Sequence, residues 1–107
     1  MPPNSFLSLK DFDKWMIKPC TDGVSTDLRP PEKLSLRLPD LNFGDSSFFS
    51  LEIKTKSLAI FYFKPIKPAI KITIYKTGRM LIDSREKHII GEILENLLDF
   101  LVDIISS

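Results

Sequence analysis

The chain is poor in the residues that carry most protein chemistry: its 107 residues include one cysteine, one histidine and one tryptophan. With Cys20 alone there is no internal disulfide and no thiolate metal cluster, which fits a reducing compartment and a structural, inert thiol. His88 has no second imidazole with which to hold a metal or relay a proton, and reads as a solvated residue. The four glycines form no phosphate-binding loop, and no serine stands beside an evident base. Asp11 and Asp13, two apart, fall on different faces of any helix and make a poor metal clamp. An enzyme is therefore not expected, and no cofactor or metal is implied. No stretch reaches the roughly 18 apolar residues that a membrane span needs. Met1 to Ser5 has neither the basic start nor the apolar run of a secretory signal. The expectation is an intracellular protein without a membrane partner, nuclear in a eukaryotic or viral setting and cytoplasmic otherwise. A dominant charge is missing as well: the net value of +1 supplies no global attraction to nucleic acid or anionic lipid.

What is present suits one domain with one core, at 43% hydrophobic and 27% charged residues. From Phe48 onward the runs FFSLEIKT, SLAIFYFKP, AIKITIYKT and RMLID alternate apolar and polar side chains, the period of strands. Ile70, Ile72 and Ile74 share one face while Lys71, Thr73 and Tyr75 share the other. Gly78 lies where the chain reverses, and Met80 and Ile82 resume the apolar face, as a hairpin requires. Thr55-Lys56-Ser57 is a tight joint, and Pro65 to Pro68 a stiff connection that no central strand accommodates. After Asp83 the period becomes 3.6, which predicts a helix from about Ser84 to Ile104, with Asp83 and Glu86 as its N-terminal cap.

The first 45 or so residues have another texture. Pro19, Pro30, Pro31, Pro39 and the turn former Thr21-Asp22-Gly23 interrupt them, so they are expected to be an irregular segment docking on the rest. Ser8 is placed to cap a short helix over Leu9 to Ile17, with Phe12, Trp15 and Met16 at helical spacing and Pro19 as its stop. Lys33 to Leu38 alternates like a strand that puts Leu34, Leu36 and Leu38 on one side, and Asn42 to Ser47 reads as a loop. The expected architecture is α+β: a curved antiparallel sheet of four to five strands, spanning 46–107 with one long C-terminal helix over one face. That helix carries more apolar residues than one stripe facing a sheet requires. Either the Trp15 segment covers the excess, or Leu94, Leu98, Leu101 and Ile105 form a surface for self-association or a protein partner.

The order of Ile66-Lys67-Pro68, the strand Ile70 to Tyr75, the turn Thr77-Gly78-Arg79, the return strand Met80 to Ile82 and the helix stretch Glu92-Ile93-Leu94-Glu95-Asn96 resembles one repeat of the TATA-box-binding protein family. The likeness covers about forty residues, or about fifty with Leu58 to Lys64. It implies a half-saddle, because the family joins two such repeats. It also implies a transcription-related partner: double-stranded DNA, read through an A·T-rich minor groove that aromatic wedges open, or other transcription proteins. Leu58 and Tyr75 match the wedge positions, and Asp83 falls near a groove-contacting threonine, where a carboxylate repels phosphates. The residues expected to meet DNA are Leu58, Tyr62, Lys64, Lys67, Lys71, Thr73, Tyr75 and Arg79. Lysines on strands also keep sheet edges from aggregating, so the second expectation is a protein-interaction domain of the same fold that does not bind DNA.

Overall fold

The computed structural model describes residues 14–105, whose alternating stretches pair into one antiparallel sheet. It has six strands, against the four or five expected. β1 (Met16–Pro19), β2 (Thr26–Arg29), β3 (Phe49–Lys54), β4 (Leu58–Phe63), β5 (Ile70–Tyr75) and β6 (Met80–Ile82) precede the helix α1 (Lys87–Val102). Across the sheet the order is β1-β2-β6-β5-β4-β3. β3 to β6 are the expected meander, and β2 enters beside β6 from the N-terminal part of the chain.

Period two sorts the side chains as the alternation predicts. Ala59, Phe61 and Phe63 on β4, Ile70, Ile72 and Ile74 on β5, and Met80 and Ile82 on β6 are all buried. Ile74 lies opposite Met80 and Ile72 opposite Ile82, so the hairpin returns its apolar residues to one face. Its turn is closed by the Tyr75 N–H donating to the Arg79 carbonyl at 2.8 Å. Gly78 takes φ +93° there, a conformation that side chains oppose.

α1 lies on this apolar face and buries Ile89, Ile90, Ile93, Leu94, Leu97, Leu98 and Leu101. Phe100 meets Phe43 and Phe49 edge-on, with ring centroids 5.0 and 6.1 Å away. The apolar excess of the helix is met inside the chain, because Leu36, Leu38, Leu41 and Phe43 fold over it and join the same core, as does Trp15. Leu94 and Leu98 are 1% exposed and Leu101 is fully buried. Ile105 is half-buried and bridges to Leu36. Leu94, Leu98 and Leu101, expected in a pairing surface, are therefore part of the core, and Ile105 lies partly exposed beside them. Burying each leucine stabilises the fold by about 1.5–3 kcal/mol relative to leaving it exposed.

Lys33 to Leu38, expected as a strand, does not join the sheet. Leu34 and Leu36 donate their N–H groups to the carbonyls of Thr77 and Lys76 at 3.0 and 2.9 Å, and Arg37 donates to Ile104 at 2.7 Å. These bonds thread the segment between the hairpin turn and the end of the helix, so its leucines turn inward without a strand partner. Pro39 sits in a short 3-10 turn, Leu38–Asp40. The Arg37 side chain donates to the carbonyls of Asp103 and Ile105 at 2.9 and 3.1 Å. It thereby serves oxygens that a helix end leaves without partners.

Three further expectations are corrected. The N-terminal segment is not an irregular appendage, since two strands of the sheet come from it. The proposed helix over Leu9 to Ile17 lies partly outside the described residues, but Met16 and Ile17 belong to β1. β1 is held there by a turn: the Asp22 carboxylate accepts from the N–H groups of Val24 and Ser25, each at 2.9 Å, and Gly23 takes φ +84°. Finally, α1 starts at Lys87 behind Glu86, with no side-chain cap. The Asp83 carboxylate instead lies 2.9 Å from the Ser25 hydroxyl, whose single proton it shares with Asp22 at 2.8 Å.

Candidate functional site

The second face of the sheet defines the site. Leu58, Ile60 and Tyr62 of β4, Thr73 and Tyr75 of β5, and Leu81 of β6 alternate with core residues and are each half-buried, while Lys71 is exposed. Register aligns them: Thr73 lies opposite both Ile60 and Leu81, Tyr75 opposite Leu58, and Lys71 opposite Tyr62. β3 adds to the same face through a bulge between Leu51 and Ile53. Leu51 pairs with Phe61 of the core, but Ile53 pairs with Ile60 of the open face and is 48% exposed. Ile53, Ile60, Thr73 and Leu81 therefore form a mostly apolar row across four strands.

Charge is placed around this row. Asp27 of β2, opposite Leu81, receives Nε and Nη2 of Arg79 at 3.0 and 3.2 Å. Partial burial works against ionisation of Asp27, but the hydrogen bonds and charge of Arg79, with help from Arg29, hold its pKa below the ordinary value. The same contact pushes Arg79 up. Its guanidinium lies 5.5 Å from the centre of the Tyr75 ring, a cation–π arrangement that fixes its plane. At the far side of the face, the Tyr62 hydroxyl donates to Glu52 at 3.1 Å, and this bond raises the tyrosine pKa.

Antiparallel pairing brings the end of β2, the start of β6, the end of β5, the start of β4 and the end of β3 to one rim. Arg29, Arg79, Lys76, Lys56 and Lys54 lie along it. Lys56 and Lys76, with Ser35, Leu36, Arg37, Pro39 and Asp40, line a cavity of about 280 Å³. Neither lysine is held in an ion pair by another described residue.

Of the residues expected to meet DNA, Leu58, Tyr62, Lys71, Thr73, Tyr75 and Arg79 are brought together here. Lys64 lies past the end of β4 and donates to the Ser46 carbonyl at 3.2 Å. Lys67 is exposed in the connection before β5, away from the row. Ile60 and Leu81 belong to the face although the sequence reading passed over them; period two placed both. Ile53 had no such signal, since simple alternation from Phe49 assigns it to the core and only the bulge reverses it.

Among the described residues no group of three or more metal-ligating side chains assembles, and no helix is long and apolar enough to cross a membrane. His88 stands exposed at the start of α1, 3.4 Å from Glu86. Comparisons with models of protein families, with curated proteins and with solved structures return no match for the chain. Fold and site together define a class: an α+β protein with a helix on one side of an antiparallel sheet and an open, mixed apolar and basic face on the other.

Proposed function

We propose that the chain is a nucleic-acid-binding module resembling one repeat of the TATA-box-binding protein family, which lays its open sheet face against the minor groove of an A·T-rich duplex in a transcription-related role. The observation that carries this reading is the open face, where Leu58, Ile60, Thr73, Tyr75 and Leu81 lie side by side below a basic rim. Aliphatic and aromatic side chains on such a face enter the groove and unstack base steps. The hydroxyls of Thr73 and Tyr75 suit the acceptors that A·T pairs present there. Lys56, Lys71, Lys76 and Arg29 would neutralise phosphates, and they explain how a chain of net charge +1 can bind a polyanion locally. A second repeat would have to come from a mate. With the leucines of α1 buried, the β1 edge, where Met16 and Ile17 are 53% and 46% exposed, offers a surface for it.

A second reading rests on the row Ile53, Ile60, Thr73 and Leu81, which carries no charge, and on Asp27 and Glu52, which engage Arg79 and Tyr62. A face with so apolar a centre suits a protein partner, making the chain an interaction module of the same fold. Fluorescence anisotropy with A·T-rich and G·C-rich duplexes at low and moderate salt separates the two. A·T-preferring, salt-sensitive binding that Lys71→Glu and Ile60→Asp abolish supports the first reading. Absence of binding at every salt concentration overturns it in favour of the second.

A further inference from the structure

Beside Arg79 lies a cavity of about 200 Å³ lined by Arg29, Pro30, Lys33, Thr77 and Arg79. Its walls are held from three directions. Arg29 closes β2. The segment after it rests directly on the hairpin turn: a Cβ on Gly78 would come within 2.8 Å of Leu34 Cδ1 and 3.0 Å of Pro30 Cγ. The bond from the Leu34 N–H to the Thr77 carbonyl, 3.0 Å, fastens that segment and brings Lys33 to the cavity. Arg79 is fixed by its two bonds to Asp27 and by the Tyr75 ring.

Among the described residues the charge of the cluster is unbalanced. Asp27 is the carboxylate that meets the arginines, with Arg29 Nη2 at 3.6 Å in addition to Arg79, and Lys33 is in no ion pair with a described residue. Glu32 neighbours Lys33 in the chain but does not line the cavity. Asp27 occupies one edge of the Arg79 guanidinium and leaves its other N–H groups for an external acceptor. A rigid arginine fork, a second arginine and a lysine around one small cavity match the charge and acceptor geometry of a phosphate.

We infer that this cavity binds a phosphate group. Its source rests on the reading above: one backbone phosphate of the duplex, held at the rim while the neighbouring base pairs lie on the open face. The test measures duplex affinity against salt for the wild type, the Arg29→Ala/Lys33→Ala double variant, and Lys87→Ala on α1 as a control for lost charge. Loss of about one phosphate's share of the salt slope, ~0.9 on the logarithmic scale, in the double variant alone supports the inference. An unchanged slope in the double variant overturns it and leaves duplex binding standing. If the wild type binds no duplex, titration with pyrophosphate followed by NMR of the Arg79 side chain decides. Shifts lost in the double variant keep the cavity as a phosphate site without the duplex, and no shift overturns it.

Discussion

Asp27 and Arg79, 52 residues apart in sequence, are joined by two hydrogen bonds that tie β2 to the turn entering β6. The Asp27 side chain is 15% exposed and Arg79 40%, so one partner is mostly withdrawn from water and the other is not. Bonds to charged groups contribute about 1.5–3 kcal/mol; solvent at Arg79 reduces this, and Asp27→Asn is expected to cost about 1–2 kcal/mol in urea unfolding at neutral pH. Because the folded pKa of Asp27 lies below 3.8, its stabilisation is present above that value. It is lost as pH falls through the lower folded value. The wild type should therefore lose stability below about pH 4 more steeply than the variant.

Asp22 provides a second acid-sensitive point. Backbone bonds from Ser25 and Val24, then the Ser25 hydroxyl, lower its pKa from 3.8 to about 2. Its contribution is complete above 3.8 and fades as pH falls towards 2. Asp22→Asn should flatten that part of the stability profile. Amide hydrogen exchange at Val24 and Ser25 should quicken, since both N–H groups donate to this carboxylate.

Gly78 carries two separate constraints. A side chain at its positive φ is strained by about 1–2 kcal/mol, and overpacking against Leu34 and Pro30 adds about 1–3 kcal/mol. Gly78→Ala is expected to destabilise by about 2–5 kcal/mol in chemical unfolding, and Gly78→Val by more. Since the 30–34 segment rests on this turn, the variant should also disturb the NMR signals of Lys33.

Core and open-face substitutions should separate cleanly. Leu98→Ala is expected to cost about 2–5 kcal/mol, as large-to-small changes at buried sites do. It should leave the oligomeric state at a given concentration unchanged in sedimentation, because Leu98 packs inside its own chain. Ile60→Asp, on the half-exposed face, should keep the far-ultraviolet circular dichroism spectrum of the wild type while abolishing binding of whichever partner the face takes.

Much of the meander was legible because period two is a local property. Ile70 to Ile74 and Met80 to Ile82 declare their inner face within a few residues, and Gly78 marks the reversal. The same rule placed Leu58, Tyr62, Thr73 and Tyr75 together before any register was known. It failed at Ile53, where one extra residue in β3 moves the following side chains to the other face. At Leu34 to Leu38 it found the buried side but not the element, since alternation records which side chains turn inward and not what the backbone bonds to. At Met16 and Ile17, two periods fitted so short a stretch, and the turn at Asp22 with its carboxylate bonds decided for the strand.

Sequence alone determined the α+β class, the hairpin at Gly78, the C-terminal helix and its apolar surplus, because each is set by neighbours in the chain. Tertiary structure decided what covers that surplus, which cations remain without partners among the described residues, and where Asp27 meets Arg79. Those outcomes depend on long-range register: the placing of β2 beside β6, and the passage of the Leu34–Phe43 segment over the helix, are contacts whose energy appears only once distant parts of the chain meet.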